Sequence, residues 1–182
     1  MCRKLIVLVV IASFLSCHHA RYITSTGANG ALDFTEGRWV LNDATCVNCD
    51  GVRLENKLME FLKECIKDSI VNLHQERQHK LIMSKISFEP SKTELREISK
   101  GTDASYLITL EGKIVKNEFG GMGYQRDEPY VDDENIAEVS IAFYDLKTQT
   151  QIHYINTRGA VSVSKDEDDD DGDFVFAPSA YN

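Results

Sequence analysis

Several features that often reveal the function of a chain are scarce in this sequence. It has 182 residues with one tryptophan and three prolines, and its 29 acidic residues outnumber 20 basic ones. Without a basic surplus, nucleic acid is not expected as a partner. His74, His79 and His153 show no metal-ligand spacing and no nearby nucleophile motif, so they are predicted to be surface residues. Neither a metal site nor a cofactor is expected.

Long apolar runs are also missing. The longest covers residues 5–15 behind Arg3 and Lys4, whereas a helix that crosses a bilayer needs roughly 20 apolar residues. A short apolar run behind two basic residues is typical of a secretion signal. Residues 1–16 are therefore predicted to be a signal peptide.

The end of this run carries a more specific pattern. Phe14-Leu15-Ser16-Cys17 resembles the lipobox of bacterial lipoproteins, although Phe14 stands where leucine is favoured. The resemblance implies cleavage before Cys17, a diacylglycerol on its thiol and an acyl chain such as palmitate on the new amino terminus. The alternative is an ordinary signal peptide cut further along, after Ala20.

The residues behind Cys17 bear on location. His18-His19-Ala20-Arg21 lacks the aspartate that resembles an inner-membrane retention signal and the acidic cluster that resembles a surface-export signal. By that resemblance the protein is expected on the periplasmic face of the outer membrane, anchored by lipid. Two or three acyl chains hold a protein at a bilayer stably, since each buried methylene contributes about 0.8 kcal/mol.

Three of the five cysteines belong to the folded body. Cys2 lies in the signal and Cys17 is assigned to the lipid, which leaves Cys46, Cys49 and Cys65. In an oxidising envelope Cys46 and Cys49 are able to form a disulfide, with Cys65 left over. Cys65 falls on the apolar stripe of a helix and is predicted to be a small buried side chain.

Hydrophobic periodicity predicts one α/β domain over residues 38–164, with a mixed sheet of about five strands and two helices. A flexible tether is predicted over 17–37 and an acidic disordered tail over 165–182. The strands are expected at 38–42, 81–88, 104–114, 136–146 and 151–164. The helices are expected from Leu54 to Leu73, after a cap at Asp50, and from Ser91-Lys92-Thr93-Glu94, a capping box, to Gly101.

The connection from Asn117 to Asn135 is far longer than an ordinary hairpin turn of two to five residues. It is predicted to contact a protein partner through its apolar and aromatic residues. These are Phe119, Met122, Tyr124 and Tyr130. A loop without any role is the alternative.

Seven acidic residues lie between Asp166 and Asp173. Aspartates followed by Gly172 resemble a calcium loop, but the glutamate and the helix that such a loop needs are missing. The run is predicted to be solvated and disordered, with weak attraction for divalent ions.

Two stretches resemble known envelope families. Residues 95–114 and 139–152 are similar to the helix-turn-strand and the following hairpin of the curli-secretion lipoprotein, the penicillin-binding-protein activator lipoproteins and the amino-terminal domain of TolB. The resemblance implies a non-catalytic binding or adaptor module that contacts another, unidentified, cell-envelope protein. It transfers no individual active residue.

A second resemblance leads to a different function. A strand, a Cys-x-x-Cys pair and a long amphipathic helix are similar to the opening of thioredoxin-like proteins. That resemblance implies a membrane-tethered thiol-disulfide oxidoreductase with Cys46 as the attacking thiol and Cys49 as the resolving one. The cis-proline of that family has no counterpart before Ala104.

Overall fold

The computed structural model describes residues 20–28, 32–117 and 133–163, which contain seven strands and three α-helices. The strands are β1 (Arg21–Ala28), β2 (Trp39–Leu41), β3 (Thr45–Val47), β4 (Ile70–Asn72), β5 (Tyr106–Asn117), β6 (Asp133–Asp145) and β7 (Thr150–Val163). The helices are α1 (Gly51–Ile66), α2 (Leu73–Arg77) and α3 (Lys92–Gly101).

All seven strands belong to one mixed sheet. Its order is β1-β7-β6-β5-β2-β4, and β3 pairs with β5 beyond the end of β2. The contacts β1-β7, β7-β6 and β6-β5 are antiparallel, whereas β2 and β3 run parallel to β5 and β4 runs parallel to β2. The predicted mixed α/β sheet is therefore confirmed, with more strands and one more helix than expected among the described residues.

Helices cover both faces of the sheet. Neighbouring side chains on a strand point to opposite faces, so one strand can contribute to the core on each side. In β2, Trp39 and Leu41 pack with Leu62 and Ile66 of α1, while Val40 packs on the other face. That second cluster includes residues of α2 and α3, namely Leu73, Leu95 and Ile98. Each face thus has its own apolar core, and β2 and β5 contribute to both.

The first helix is shorter than its apolar periodicity predicts. It ends at Ile66, where Lys67 has a left-handed backbone with φ 58°. Ile70 then lies in β4, which extends the sheet beside β2, and Leu73 begins α2. The predicted burial of Cys65 is wrong: its side chain is exposed, because α1 packs through Leu62 and Ile66.

The strand expected at 81–88 is not formed. Residues 81–88 lie on the α3 face of the sheet instead, where Ile86 belongs to the core cluster. Side chains from elsewhere in the fold satisfy backbone carbonyls of this segment. Asn42 donates to the Ile86 carbonyl at 3.2 Å, and Thr109 donates to the Phe88 carbonyl at 2.8 Å. The apolar pattern reflects burial, but no neighbouring strand supplies the ladder hydrogen bonds.

The second predicted helix matches α3. Ser91 accepts from the Glu94 amide at 3.2 Å, and Glu94 accepts from the Ser91 amide at 2.8 Å, so both halves of the capping box are present. The same carboxylate also accepts from the Ser87 amide at 3.1 Å. These hydrogen bonds lower the pKa of Glu94 below its ordinary value.

The segment expected to be a tether contributes a strand. Arg21–Ala28 forms β1, which pairs with β7 along its whole length from Arg21↔Ala160 to Ala28↔His153. All eight residues are exposed, so the pattern of buried and polar positions that marks a half-buried strand is missing. The expectation of flexibility over 21–28 is therefore corrected by backbone pairing with a distant strand.

Candidate functional site

Cys46 and Cys49 are bonded to each other in the structure, with their Cα atoms 5.5 Å apart. Cys46 lies in β3, and Cys49 directly precedes Asp50, the cap of α1. Between them, Asn48 takes a left-handed backbone with φ 59°, which asparagine tolerates better than most residues. The pair forms a short loop that joins a strand to the start of a helix.

This loop is fixed at both ends by specific hydrogen bonds. The Asp50 carboxylate accepts from the Arg53 amide at 3.0 Å, which satisfies a donor at the first turn of α1. The Glu55 carboxylate accepts from the Ala44 amide at 3.2 Å. On the sheet side, Cys46 pairs with Gly112 of β5.

Gly112 allows the disulfide and α1 to approach the sheet. A Cβ at this position would lie 2.6 Å from Cδ2 of Leu54 and 3.1 Å from Sγ of Cys49. Any side chain would therefore push the helix or the disulfide away. Reasoning from the sequence did not single out Gly112, although a glycine inside a strand pattern often marks a close backbone approach.

A groove of about 560 Å³ opens beside the disulfide and is called here the disulfide groove. Its walls come from the first turns of α1 and from the middle of β5 and β6. The lining includes Cys49 and Asp50, then Arg53, Leu54 and Lys57 of α1, then Gly112, Lys113 and Ile114 of β5 and Ala137, Glu138 and Val139 of β6. Most of this surface is apolar, with charged groups among the lining residues.

The charged side chains that face the disulfide groove come from the start of α1. They are Asp50, Arg53 and Lys57. Asp50 caps α1, and Lys57 lies 4.0 Å from Glu60. Lys113 and Glu138 are opposite each other in β5 and β6, and because Gly112 faces α1, their side chains point to the other face of the sheet. The groove therefore offers a mostly apolar surface with charged groups along one wall.

A second cavity, of about 470 Å³, lies at the opposite end of β5 and β6. It is lined by the start of β5, the end of α3 and the turn after β6, including Ser105, Tyr106, Asp145 and Lys147. Asp145 accepts from the Lys147 and Thr148 amides at 2.7 and 3.1 Å, so its carboxylate stabilises the turn.

A buried tyrosine on the α3 face has a strongly shifted pKa. Burial raises the pKa of Tyr144 to about 12. Its hydroxyl donates to the Phe88 carbonyl at 3.3 Å, beside the bond that Thr109 makes to the same oxygen. The neutral phenol thus holds residues 81–88 against the sheet, and we assign it a structural role.

The prediction that the three histidines are surface residues is confirmed for two of them. His74 and His79 are exposed, whereas His153 is half-buried with its ring centroid 5.9 Å from that of Phe143. In residues 20–28, 32–117 and 133–163, no three His, Cys, Asp or Glu side chains cluster to hold a metal ion. No helix in that part of the chain is long and apolar enough to cross a membrane.

Cys17, the acidic run and the predicted contact residues Phe119, Met122, Tyr124 and Tyr130 lie outside the described residues. The ends of the strands beside them are described, however. Arg21 pairs with Ala160, Asn117 with Asn135, and Asp133 with Val163. The chain therefore enters β1, leaves β5, enters β6 and leaves β7 at one end of the sheet, called here the distal end.

No family model and no curated protein matches this chain. Among solved structures, it is similar to the PelC dodecamer from Paraburkholderia phytofirmans, with 12% identity, 79% of this chain and 83% of that chain covered, and a TM-score of 0.44. It is also similar to lipoprotein GNA1162 from Neisseria meningitidis, with 8% identity, coverage of 72% and 88%, and a TM-score of 0.39. Neither likeness determines what this chain does.

Proposed function

We propose that this chain is a lipid-anchored, non-catalytic adaptor on the periplasmic face of the outer membrane that binds another envelope protein. The lipobox-like residues 14–17 support the anchor. The observation that carries the binding role is the exposed strand β1. Its inner edge pairs with β7, and no described strand pairs with its outer edge.

The outer edge of β1 has little of the usual protection against strand pairing, and Arg21 is its one charged residue. Its sequence, Arg-Tyr-Ile-Thr-Ser-Thr-Gly-Ala, has no proline, no lysine and no bulge against β7. Tyr22 and Ile23 are 72% and 70% exposed, and as neighbours in a strand they point to opposite faces. An extended segment of a partner protein fits this edge, with main-chain hydrogen bonds for affinity and Tyr22 or Ile23 for side-chain contact.

The predicted anchor lies close to this edge. Three residues separate Cys17 from Arg21, so β1 begins within about 13 Å of the lipidated cysteine, at ~3.3 Å per residue. We therefore expect the partner to be membrane-proximal. The predicted contact loop with Phe119, Met122, Tyr124 and Tyr130 leaves β5 at Asn117 and returns to β6 at the distal end, where Arg21 begins β1.

A photocrosslinking amino acid at Tyr22 tests the binding role in the full chain in its native envelope. We expect a crosslink to one envelope protein from this position and none from Arg96, an exposed residue of α3 that serves as the control. A crosslinked product that contains only this chain would contradict an adaptor role and favour self-assembly. Cys17→Ala should abolish the lipid modification, which mass spectrometry of the membrane fraction detects, and this tests the anchor separately.

A pair of proline variants tests whether strand addition is the binding mode. Successive amides of a strand point in opposite directions, so Thr24→Pro and Ser25→Pro remove one donor to β7 and one donor on the outer edge. The variant that keeps its thermal midpoint has lost the outer donor, and we expect it to lose the crosslink. Retention of the crosslink in that variant would exclude strand addition at β1.

A second candidate function rests on the accessibility of the disulfide. Cys49 borders an open groove and is one residue from the cap of α1, where the helix dipole stabilises a thiolate. This favours a thiol-disulfide oxidoreductase, although Cys46, the expected attacking thiol, lies within β3, away from the start of α1. A reduction potential of roughly −120 to −270 mV would support this enzyme, and one below about −300 mV would support a structural disulfide.

A further inference from the structure

The two cysteines of the disulfide have different surroundings. Cys46 lies in β3, where it pairs with Gly112 of β5. A Cβ built on Gly51, the first residue of α1, would lie 3.3 Å from Cβ of Cys46, and a Cβ built on Gly112 would lie 3.4 Å from its Sγ. Cys46 is therefore held closely between the start of the helix and the sheet.

Cys49 faces open space instead. It borders the disulfide groove, whereas Cys46 is not among the residues that line it. Cys49 belongs to no strand or helix, because the left-handed backbone of Asn48 turns the chain out of β3 before Asp50 caps α1. An external thiol or disulfide that enters the groove therefore meets Cys49 first.

The start of α1 favours the thiolate form of the same residue. Cys49 directly precedes the cap residue Asp50, and the partial positive charge at a helix amino terminus stabilises a nearby anion. The charge of Asp50 opposes part of this effect, but its carboxylate is hydrogen-bonded to the Arg53 amide at 3.0 Å. Because a strand has little net dipole, β3 offers Cys46 no comparable stabilisation.

We propose that Cys49 forms the mixed disulfide with a substrate and that Cys46 resolves it. This inference rests on the second candidate function, the thiol-disulfide oxidoreductase, and it reverses the roles expected from the sequence. In the reduced protein, the Cys49 thiolate attacks a substrate disulfide, bonds to one sulfur and releases the other, which takes up a proton. Cys46 then loses its proton to solvent and attacks Sγ of Cys49, which forms the Cys46–Cys49 bond and releases the second substrate thiol. The pair thus gives two electrons to the substrate disulfide.

The disulfide groove also indicates a class of substrate. Leu54 of α1, Ile114 of β5 and Val139 of β6 line it with apolar surface beside Cys49. Ile114 is two positions from Gly112 in β5, and Val139 is opposite Gly112, so both side chains point to the α1 face. The substrate is therefore a peptide with an apolar side chain next to its cysteine.

Two cysteine variants of the full chain test which thiol reacts. Cys46→Ser and Cys49→Ser each leave one thiol of the pair, and the exposed Cys65 is the internal reference in both. With an aromatic disulfide as the probe, we expect the Cys49 thiol to react at least about tenfold faster, relative to Cys65, than the Cys46 thiol. Comparable relative rates, or a faster Cys46, would overturn the proposal.

The intact disulfide gives a second readout that needs no substitution. The oxidised full chain is exposed to a small thiol for a short time and quenched with acid, and mass spectrometry then locates the mixed disulfide. We expect it on Cys49, with Cys46 as the free thiol. A mixed disulfide on Cys46, or equal amounts on both cysteines, would overturn the assignment.

Two short peptides test the class of substrate. Activated disulfides of Gly-Cys-Gly and Leu-Cys-Leu are reacted with Cys46→Ser, and each rate is divided by the rate of the same peptide with glutathione. We expect this ratio at Cys49 to be about fivefold higher for the leucine peptide, because apolar surface is buried in the groove. Equal ratios would overturn the predicted class.

The reduction potential separates failure of this inference from failure of the enzyme function. A potential typical of structural disulfides would overturn the oxidoreductase function itself, whichever cysteine reacts. A potential typical of oxidoreductases, together with a mixed disulfide on Cys46, would keep that function and overturn only the roles proposed for the two cysteines.

Discussion

Two halves of one sheet have opposite surroundings. In the covered half, formed by β5, β2 and β4, helices pack on both faces, and Trp39, Val40 and Leu41 are fully buried. In the open half, formed by β7 and β1, most side chains of β7 are half-buried and every residue of β1 is exposed. The contrast indicates that stability comes mainly from the covered half, while no described strand pairs with the outer edge of β1.

The largest effect is expected from Trp39→Ala. The Trp39 ring lies 4.3 Å from that of Tyr106 and 5.1 Å from that of Phe34, so its removal leaves a cavity in the α1-side core. We expect the free energy of unfolding to fall by about 3–5 kcal/mol in urea denaturation. Tyr22→Ala in the open half should change the free energy of unfolding by no more than about 0.5 kcal/mol. Similar losses in the two variants would contradict the inference that stability comes from the covered half.

Two glycines sharpen the comparison. At Gly112 a Cβ overlaps Leu54, whereas at Gly27 in β1 nothing lies within 4 Å. Overpacking of this kind costs about 1–3 kcal/mol, so Gly112→Ala should destabilise the fold by that amount. Gly27→Ala should be neutral or slightly stabilising. Thermal midpoints measured under the same conditions test this difference: the midpoint should fall in Gly112→Ala and not in Gly27→Ala.

The pH dependence of unfolding tests the burial of Tyr144. The pKa of Tyr144 is raised to about 12 from 10.0 in the unfolded chain, so its contribution is complete below pH 10 and is lost as pH rises through 12. We expect Tyr144→Phe to remove a pH-dependent loss of about 1–2 kcal/mol over that window.

The smallest effect concerns a helix cap. Ser91→Ala removes the acceptor for the Glu94 amide and should cost about 1 kcal/mol of unfolding free energy. Ser25→Ala, an exposed serine of β1, is the matched control and should cost much less. Because the pKa of Glu94 is lowered, its own contribution is complete above its unfolded pKa and is lost as pH falls through its folded pKa. Chemical denaturation at neutral and acidic pH measures both effects.

Local signals in the sequence predicted the elements that depend on local chemistry. Ser91 and Glu94 mark the start of α3, Asp50 marks the start of α1, and alternation marks β5. Each of these depends on contacts between residues close in the chain. The spacing of Cys46 and Cys49 likewise indicated that they could form a disulfide.

The predictions were wrong where contacts with residues distant in sequence determine the structure. Residues 21–28 have no buried face, and they form a strand because β7 offers its edge. Residues 81–88 have the apolar content of a strand, yet Asn42, Thr109 and Tyr144 take their carbonyls. The disulfide groove was not predicted either, because Gly112 and Leu54 are brought together only by the fold.

The pairing of β1 with β7 also determines how the protein bears mechanical load. A pull on the chain before β1 acts on Arg21, at the distal end, while a load on the core pulls the other way. The ladder from Arg21↔Ala160 to Ala28↔His153 is then loaded in shear, and its hydrogen bonds resist together. A pull between Arg21 and Val163 would instead peel the same bonds apart one after another, because β1 begins and β7 ends at the distal end.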